Sequence, residues 1–195
     1  MVSTTEIKKY IKQQVSDELY QHILGTAETA AELAEKQGIN RSKAYTAGLL
    51  HDIAREKDKK DLLAVLNGSG WEVDDVEKQL GELLHAPASA VLAENELGIK
   101  DREILEAVRW HTVGGPEMSV LARIIFLADM IEPGRDFPGV KELRKKTKHN
   151  FKTALIAACD SSLKYNINQR KVIHPGTLLL RNSLLKGESK NGNNT

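Results

Sequence analysis

The chain has 195 residues, with 41% apolar and 28% charged side chains, enough for one globular domain with a real core. Its 28 Lys and Arg against 27 Asp and Glu leave a net charge of +1, which excludes a general nucleic-acid binder, since such proteins carry a marked basic excess. One cysteine, Cys159, excludes an internal disulfide framework and a thiolate zinc site, and its apolar neighbours suggest a buried small hydrophobe.

The apolar periodicity is helical nearly throughout. A capping box, Ser3-x-x-Glu6, opens the first helix. A second, rich in Ala, Glu and Leu, is expected over 16–37 and ends at Gly38. Asn40 caps a third over 41–55, and Asp58 a short one that stops at Asn67-Gly68. Asp74 or Asp75 starts another that ends near His85. Pro87 suits the first turn of a helix over 88–97, closed by Gly98. Asp101 caps the next, through His111, and residues 112–116 read as a loop. Ser119 caps an apolar helix over 120–131, followed by a Pro/Gly loop over 133–139. Helices over 140–149 and 151–166 follow. The polar, basic stretch 168–174 then leads through His174-Pro175-Gly176-Thr177 into a last helix over 178–186. Residues 187–195 are low-complexity and expected to be disordered. No alternating run makes a convincing strand and no internal repeat is apparent. The expected class is all-α, one domain over 1–186. No leader pattern opens the chain and no apolar run approaches the roughly 20 residues of a membrane helix, so a cytoplasmic protein without a membrane partner is expected.

Within this frame six residues stand out: His22, His51, Asp52, His85, His111 and Asp129. Imidazole and carboxylate are ligands for divalent first-row metals. The His51-Asp52 pair lies in an apolar run, and Asp129 is surrounded by Phe126, Leu127, Ala128, Met130 and Ile131. Burying such groups without partners is costly. Adjacent helical residues point about 100° apart, so His51 and Asp52 can both reach one point. A cation shared by His22, His51, Asp52 and Asp129 would satisfy all four, and would make a bound water acidic enough to attack phosphorus. His85 and His111, at helix ends, can ligate a second metal with Asp52 bridging, hold a substrate phosphate, or protonate a leaving group. Spacing alone does not choose among these. Arg135, in the loop after Asp129, can meet phosphates near the metal. Thr177 and its neighbours open the last helix, a natural anion site, and Arg181 shares their helix face. His149 and the basic run 141–148 read as a wet helix face.

The order H…HD…H…H…D resembles that of the HD-domain metal-dependent phosphohydrolases. The resemblance narrows to the YqeK family of bacterial symmetrical diadenosine tetraphosphate hydrolases. It is carried by AGLLHDIAR (47–55), LLHA (83–86), HTVGGPEMS (111–119), ADMIEPGR (128–135) and HPGT (174–177), and spans about 19–181. The resemblance implies a helical HD domain that cuts dinucleoside tetraphosphate into two nucleoside diphosphates. It implies iron, or else Mn, Co, Ni or Zn, on His22, His51, Asp52 and Asp129, one ion held tightly and a second conceivable. Asp52, His85 and His111 would carry the catalysis. The nucleotide would lie against His85, His111, Arg135 and the turn His174, Pro175, Gly176 and Thr177, with Ile173 just ahead of it. Gly25, one turn after His22, would let the ligand pass close to the backbone. The chain departs from the family at Leu19, where an arginine is usual, and at Arg55, where a lysine is usual. Rival readings are another HD enzyme, a mononucleotidase or cyclic-dinucleotide phosphodiesterase, and a non-catalytic nucleoside-diphosphate sensor. Oligomeric state, a homodimer included, is not legible.

Overall fold

A computed structural model describes residues 2–186; the expected disorder of 187–195 lies outside the described residues. Among these, eleven α-helices and no strand form one all-α unit. They are α1 (Thr4–Gln14), α2 (Asp17–Lys36), α3 (Arg41–Leu50), α4 (Lys59–Leu66), α5 (Asp75–Leu80), α6 (His85–Asn95), α7 (Arg102–Trp110), α8 (Val120–Ile131), α9 (Val140–His149), α10 (Phe151–Asn168) and α11 (Pro175–Lys186). A one-turn 3₁₀ segment, Glu82–Leu84, precedes α6. No helix is long and apolar enough to cross a membrane.

Side-chain caps set most helix starts where the sequence places them. Ser3 and Glu6 form the expected capping box, and Asp74 and Glu77 form another. Ser16, Asn40, Asp58, Asp101, Ser119 and Asn150 each accept a backbone N–H from the first turn.

The core is built around α8, whose Leu121, Ala122, Ile124, Ile125, Phe126, Leu127, Ala128 and Ile131 are buried. It packs against α2, α3, α7, α9 and α10. Small residues bring α2 and α3 into their close contact: Ala27, Ala30, Ala31 and Ala34 are buried on α2, and Ala44, Ala47 and Gly48 on α3. A Cβ on Gly48 would lie 2.6 Å from the Cα of Ala27, so only glycine permits this approach. A smaller cluster of Ala54, Leu62, Leu66, Leu84, Ala88 and Val91 joins α4 to α6. Cys159 is buried as expected, and burial, helped by Asp160, pushes its thiol up to about 12.

Several boundaries differ from the sequence expectation. The third helix stops at Leu50 rather than 55, so His51 and Asp52 leave it in a series of tight turns. The cause is local competition for hydrogen bonds: the His51 ring donates to the Gly48 carbonyl at 2.7 Å, and the Ala54 N–H turns to Ser89 Oγ at 3.1 Å. The fifth helix ends at Leu80 because Gly81 takes φ 65°, and His85 therefore opens α6 instead of closing its predecessor. Pro87 still falls in the first turn of α6, where no N–H is needed. The tenth helix runs to Asn168, and the last begins at Pro175.

One buried ion pair is not legible in the sequence. Arg109 on α7 donates from both terminal nitrogens to Glu77 on α5, at 2.7 and 2.8 Å, and also to the Glu72 carbonyl at 3.1 Å. Both residues are under 5% exposed. Truncating one partner strands a buried charge, so Glu77→Ala is expected to destabilise the fold by about 3–5 kcal/mol in urea unfolding. A loss of about 1 kcal/mol or less, the range of exposed pairs, would show that water already reaches the guanidinium.

Candidate metal centre and cleft

Five elements deliver the six residues singled out by the sequence to one place. His22 comes from α2, His51 and Asp52 from the turn after α3, His85 from the first residue of α6, His111 from the end of α7, and Asp129 from α8. His51, Asp52, His85 and His111 are buried.

The ring orientations share one feature. Each histidine spends its Nδ1 on a fixed acceptor: His51 on the Gly48 carbonyl, His111 on the Val108 carbonyl at 2.7 Å, His85 on the Glu82 carbonyl, and His22 on Glu132 Oε1 at 3.1 Å. In the neutral rings this leaves the Nε2 lone pairs facing inward. His22 Nε2 lies 3.2 Å from His51 Nε2, and His85 Nε2 lies 3.2 Å from His111 Nε2. Asp52 stands between the two pairs. Its Oδ2 is 3.5 Å from His51 Nε2 and 3.8 Å from His22 Nε2; its Oδ1 is 3.1 Å from His85 Nε2 and 3.3 Å from His111 Nε2. Asp129 Oδ1 closes the first pair, 3.0 Å from His22 Nε2 and 3.8 Å from His51 Nε2.

These contacts are shorter than lone pairs tolerate without a proton or a cation between them. Asp52 Oδ1 is buried and accepts no hydrogen bond. Burial holds His51 down to about 4 and also lowers His85, against the pull of Asp52, so both rings are neutral near pH 7. At His22 burial acts the same way, but the hydrogen bond and charge of Asp129 outweigh it and raise the ring's affinity for a proton. Burial would raise Asp129, yet His22 and the Arg135 charge hold it well below the usual carboxylate range. Asp52 is likewise held far down by its surrounding imidazoles despite burial. Neutral imidazoles and ionised carboxylates are the donor states a divalent metal takes. His22, His51 and Asp129 bring donor atoms within 4.8 Å of one another, with Asp52 Oδ2 3.5 Å from His51 Nε2 beside them; His85, His111 and Asp52 Oδ1 offer three donors on the other side.

A cleft of about 1790 Å³ opens over this centre. His22, Gly25, Asp52, His111, Asp129, Arg135, Ile173, His174 and Thr177 line it, as do the two departures Leu19 and Arg55. The volume exceeds the ~300–1,000 Å³ of common small-ligand pockets, leaving room for a ligand with two bulky ends.

Several nucleotide candidates have structural partners of their own. Arg135 donates from Nε to the Asp129 carbonyl at 2.8 Å and from Nη2 to Asp129 Oδ1. His174 accepts the Gly176 N–H on Nδ1 at 3.0 Å and donates from Nε2 to Asp74 at 2.6 Å, which uses an N–H the sequence reading left for an anion. The Thr177 hydroxyl donates to the Val113 carbonyl at 2.8 Å, and Gly176 sits against the carbonyls of Val113 and Gly114. The turn that begins α11 at Pro175 is thus docked on the loop after His111. Arg181 pairs with Asp160 of α10 and does not line the cleft. Gly25 lines it, and a Cβ there would lie 2.6 Å from Glu132 Oε2. Its missing side chain makes room for the carboxylate that orients His22.

Three contributors escaped the sequence reading. Glu132 is buried and holds both His22 and the Gly134 N–H. The Thr112 hydroxyl sits 3.0 Å from His85 Nε2 and 2.9 Å from His111 Nε2. Arg144, inside the run read as a wet face, bonds the carbonyls of Ile131, Glu132, Pro133 and Arg135 and so shapes the loop after Asp129. Thr112 lies within the segment 111–119 and Glu132 within 128–135, both of which carry the family resemblance; Arg144 has no local signal.

Comparison with known proteins agrees with this geometry. The HD domain matches residues 19–134. The symmetrical bis(5'-nucleosyl)-tetraphosphatase of Halalkalibacterium halodurans is 38% identical over 175 residues, 90% of this chain and 93% of that protein. Its counterpart in Bacillus subtilis is 36% identical over 177 residues, 91% and 95%. A crystal structure from Clostridium acetobutylicum, described as a predicted HD superfamily hydrolase involved in NAD metabolism, superposes with a TM-score of 0.91 at 36% identity, covering 96% of this chain and 99% of that one. With its HD domain, its inward-facing histidines and this similarity over nearly its whole length, the chain belongs to the HD-domain symmetrical bis(5'-nucleosyl)-tetraphosphatase family.

Proposed function

We propose that this chain is a metal-dependent phosphohydrolase that cuts dinucleoside tetraphosphates, diadenosine tetraphosphate among them, at the centre of the bridge to give two nucleoside diphosphates. The observation that carries the reading is the set of four Nε2 atoms aimed at the two oxygens of one buried carboxylate beneath a large cleft. The close relatives supply the substrate class.

His22, His51, Asp52 and Asp129 hold the metal in this reading, and iron is the ion we favour among first-row divalent metals. When bound, the ion acidifies water and offsets charge on phosphate oxygens. The protein's part is orientation. Glu132 and the Gly48 carbonyl lock the two metal imidazoles in the tautomer that ligates through Nε2. On the other side, His85 and His111 are locked the same way, so Nε2 is the atom that first takes up a proton and then, as the imidazolium, donates a hydrogen bond to a phosphate oxygen or passes that proton to the departing diphosphate. The Thr112 hydroxyl bridges those two nitrogens. Arg135, already at the metal side of the cleft, is the cation nearest the phosphates there.

Anaerobic turnover of diadenosine tetraphosphate with Fe(II) or Mn(II), with products separated by chromatography, is expected to give ADP alone; AMP plus ATP would overturn the symmetrical cut. Asp52→Ala is expected to lose bound metal and turnover together, and a variant with full activity would sink the ligand assignment. Glu132→Ala, which leaves the His22 ring unoriented, is expected to weaken metal retention roughly 10- to 100-fold in a chelator competition. Unchanged retention would show that Glu132 supports only the loop at Gly134.

A further inference from the structure

Arg55 follows Asp52 by one tight turn, its N–H donating to the Asp52 carbonyl at 3.0 Å. Its side chain lies in the cleft wall, with Nη1 3.0 Å from Nε2 and 3.2 Å from Nδ1 of His85. That contact seats one edge of the guanidinium against the ring. Among the described residues no carboxylate pairs with it. The contrast with other arginines is direct: Arg135 is on Asp129, Arg109 on Glu77 and Arg181 on Asp160. The adjacent acid, Glu56, is turned away and held by the N–H of Ser16 at 2.8 Å and by its hydroxyl. An arginine that only faced solvent would need no anchor on a buried imidazole. This one presents unspent, fork-shaped donors to the cleft, the geometry that matches two oxygens of a phosphate.

The two cleft arginines also stand on opposite sides of Asp52. Arg135 is on the side of Oδ2 with His22, His51 and Asp129; Arg55 is on the side of Oδ1 with His85 and His111. A tetraphosphate cut at its centre leaves two phosphates on each side of the broken bond. An anion-holding group is then needed on both flanks. We infer that Arg55 binds the phosphates on the His85–His111 side, and that together with Arg135 it sets the length of polyphosphate bridge the site prefers. This rests on the reading of the cleft as a dinucleoside polyphosphate site.

The test compares wild type, Arg55→Ala and Arg55→Lys as full-length, metal-loaded proteins. Bound metal, melting temperature, ADP affinity by calorimetry, and kcat/KM for diadenosine tetraphosphate and triphosphate are measured. Arg55→Ala is expected to keep its metal and melting temperature, to bind ADP about tenfold or more weakly, and to lose kcat/KM for the tetraphosphate by a similar factor. The preference for tetraphosphate over triphosphate should narrow, and Arg55→Lys should recover part of the loss. Unchanged ADP affinity with unchanged kcat/KM overturns the inference. So does a loss that comes with lost metal, which would mean that Arg55 acts only by propping His85. If the wild type itself leaves the tetraphosphate intact, the functional reading fails, and the ADP affinities alone decide the role of Arg55.

Discussion

Four imidazoles with their Nδ1 hydrogens already committed, turned toward one buried carboxylate, are the constraint on which this fold is organised. Nε2 atoms 3.2 Å apart repel unless a proton or a cation lies between them, and Asp52 Oδ1 accepts no hydrogen bond from its surroundings. Such a cluster is tolerable inside an apolar core only if a cation or a proton joins it. The same unfavourable arrangement suits a cation, because the donors are arranged before any ligand arrives.

The surrounding architecture serves that arrangement at close quarters. Gly48 lets α3 lie on α2 and lends its carbonyl to His51, so one residue both sets the helix spacing and fixes that ring's tautomer. Gly25 leaves space for Glu132, which orients His22, and Arg144 gathers four carbonyls of the following loop so that Glu132 and Arg135 point where they do. The start of α11 is pinned to the loop after His111 through Thr177, while His174 reaches across to Asp74. The cleft wall is therefore assembled from segments far apart in the chain, each held by hydrogen bonds rather than by its own helix.

Helix starts were legible because caps are local: Ser3, Asn40, Asp58 and Ser119 act on N–H groups three residues away, within the reach of sequence reasoning. Helix ends were less so. The stop at Leu50 depends on the His51 ring taking the Gly48 carbonyl and on Ser89, 35 residues from Ala54, taking a backbone N–H. No pattern within the 41–55 stretch announces either event. The buried pair Arg109–Glu77 and the role of Arg144 were hidden for the same reason: a charged residue on an amphipathic helix reads as wet until its long-range partner is known.

By itself the sequence determined the all-α class, the cap-defined helix starts, and the chemical identity of a His/Asp donor set spaced over five helical segments, because these depend on residue type and on contacts within a turn. Only the tertiary structure decided how those donors divide around Asp52, that Glu132 orients His22, that Arg181 is tied to Asp160 away from the cleft, and that Arg55 stands on the flank opposite Arg135. Those facts depend on groups tens to more than a hundred residues apart meeting within a few ångströms. Packing makes such meetings, and local propensity does not encode them.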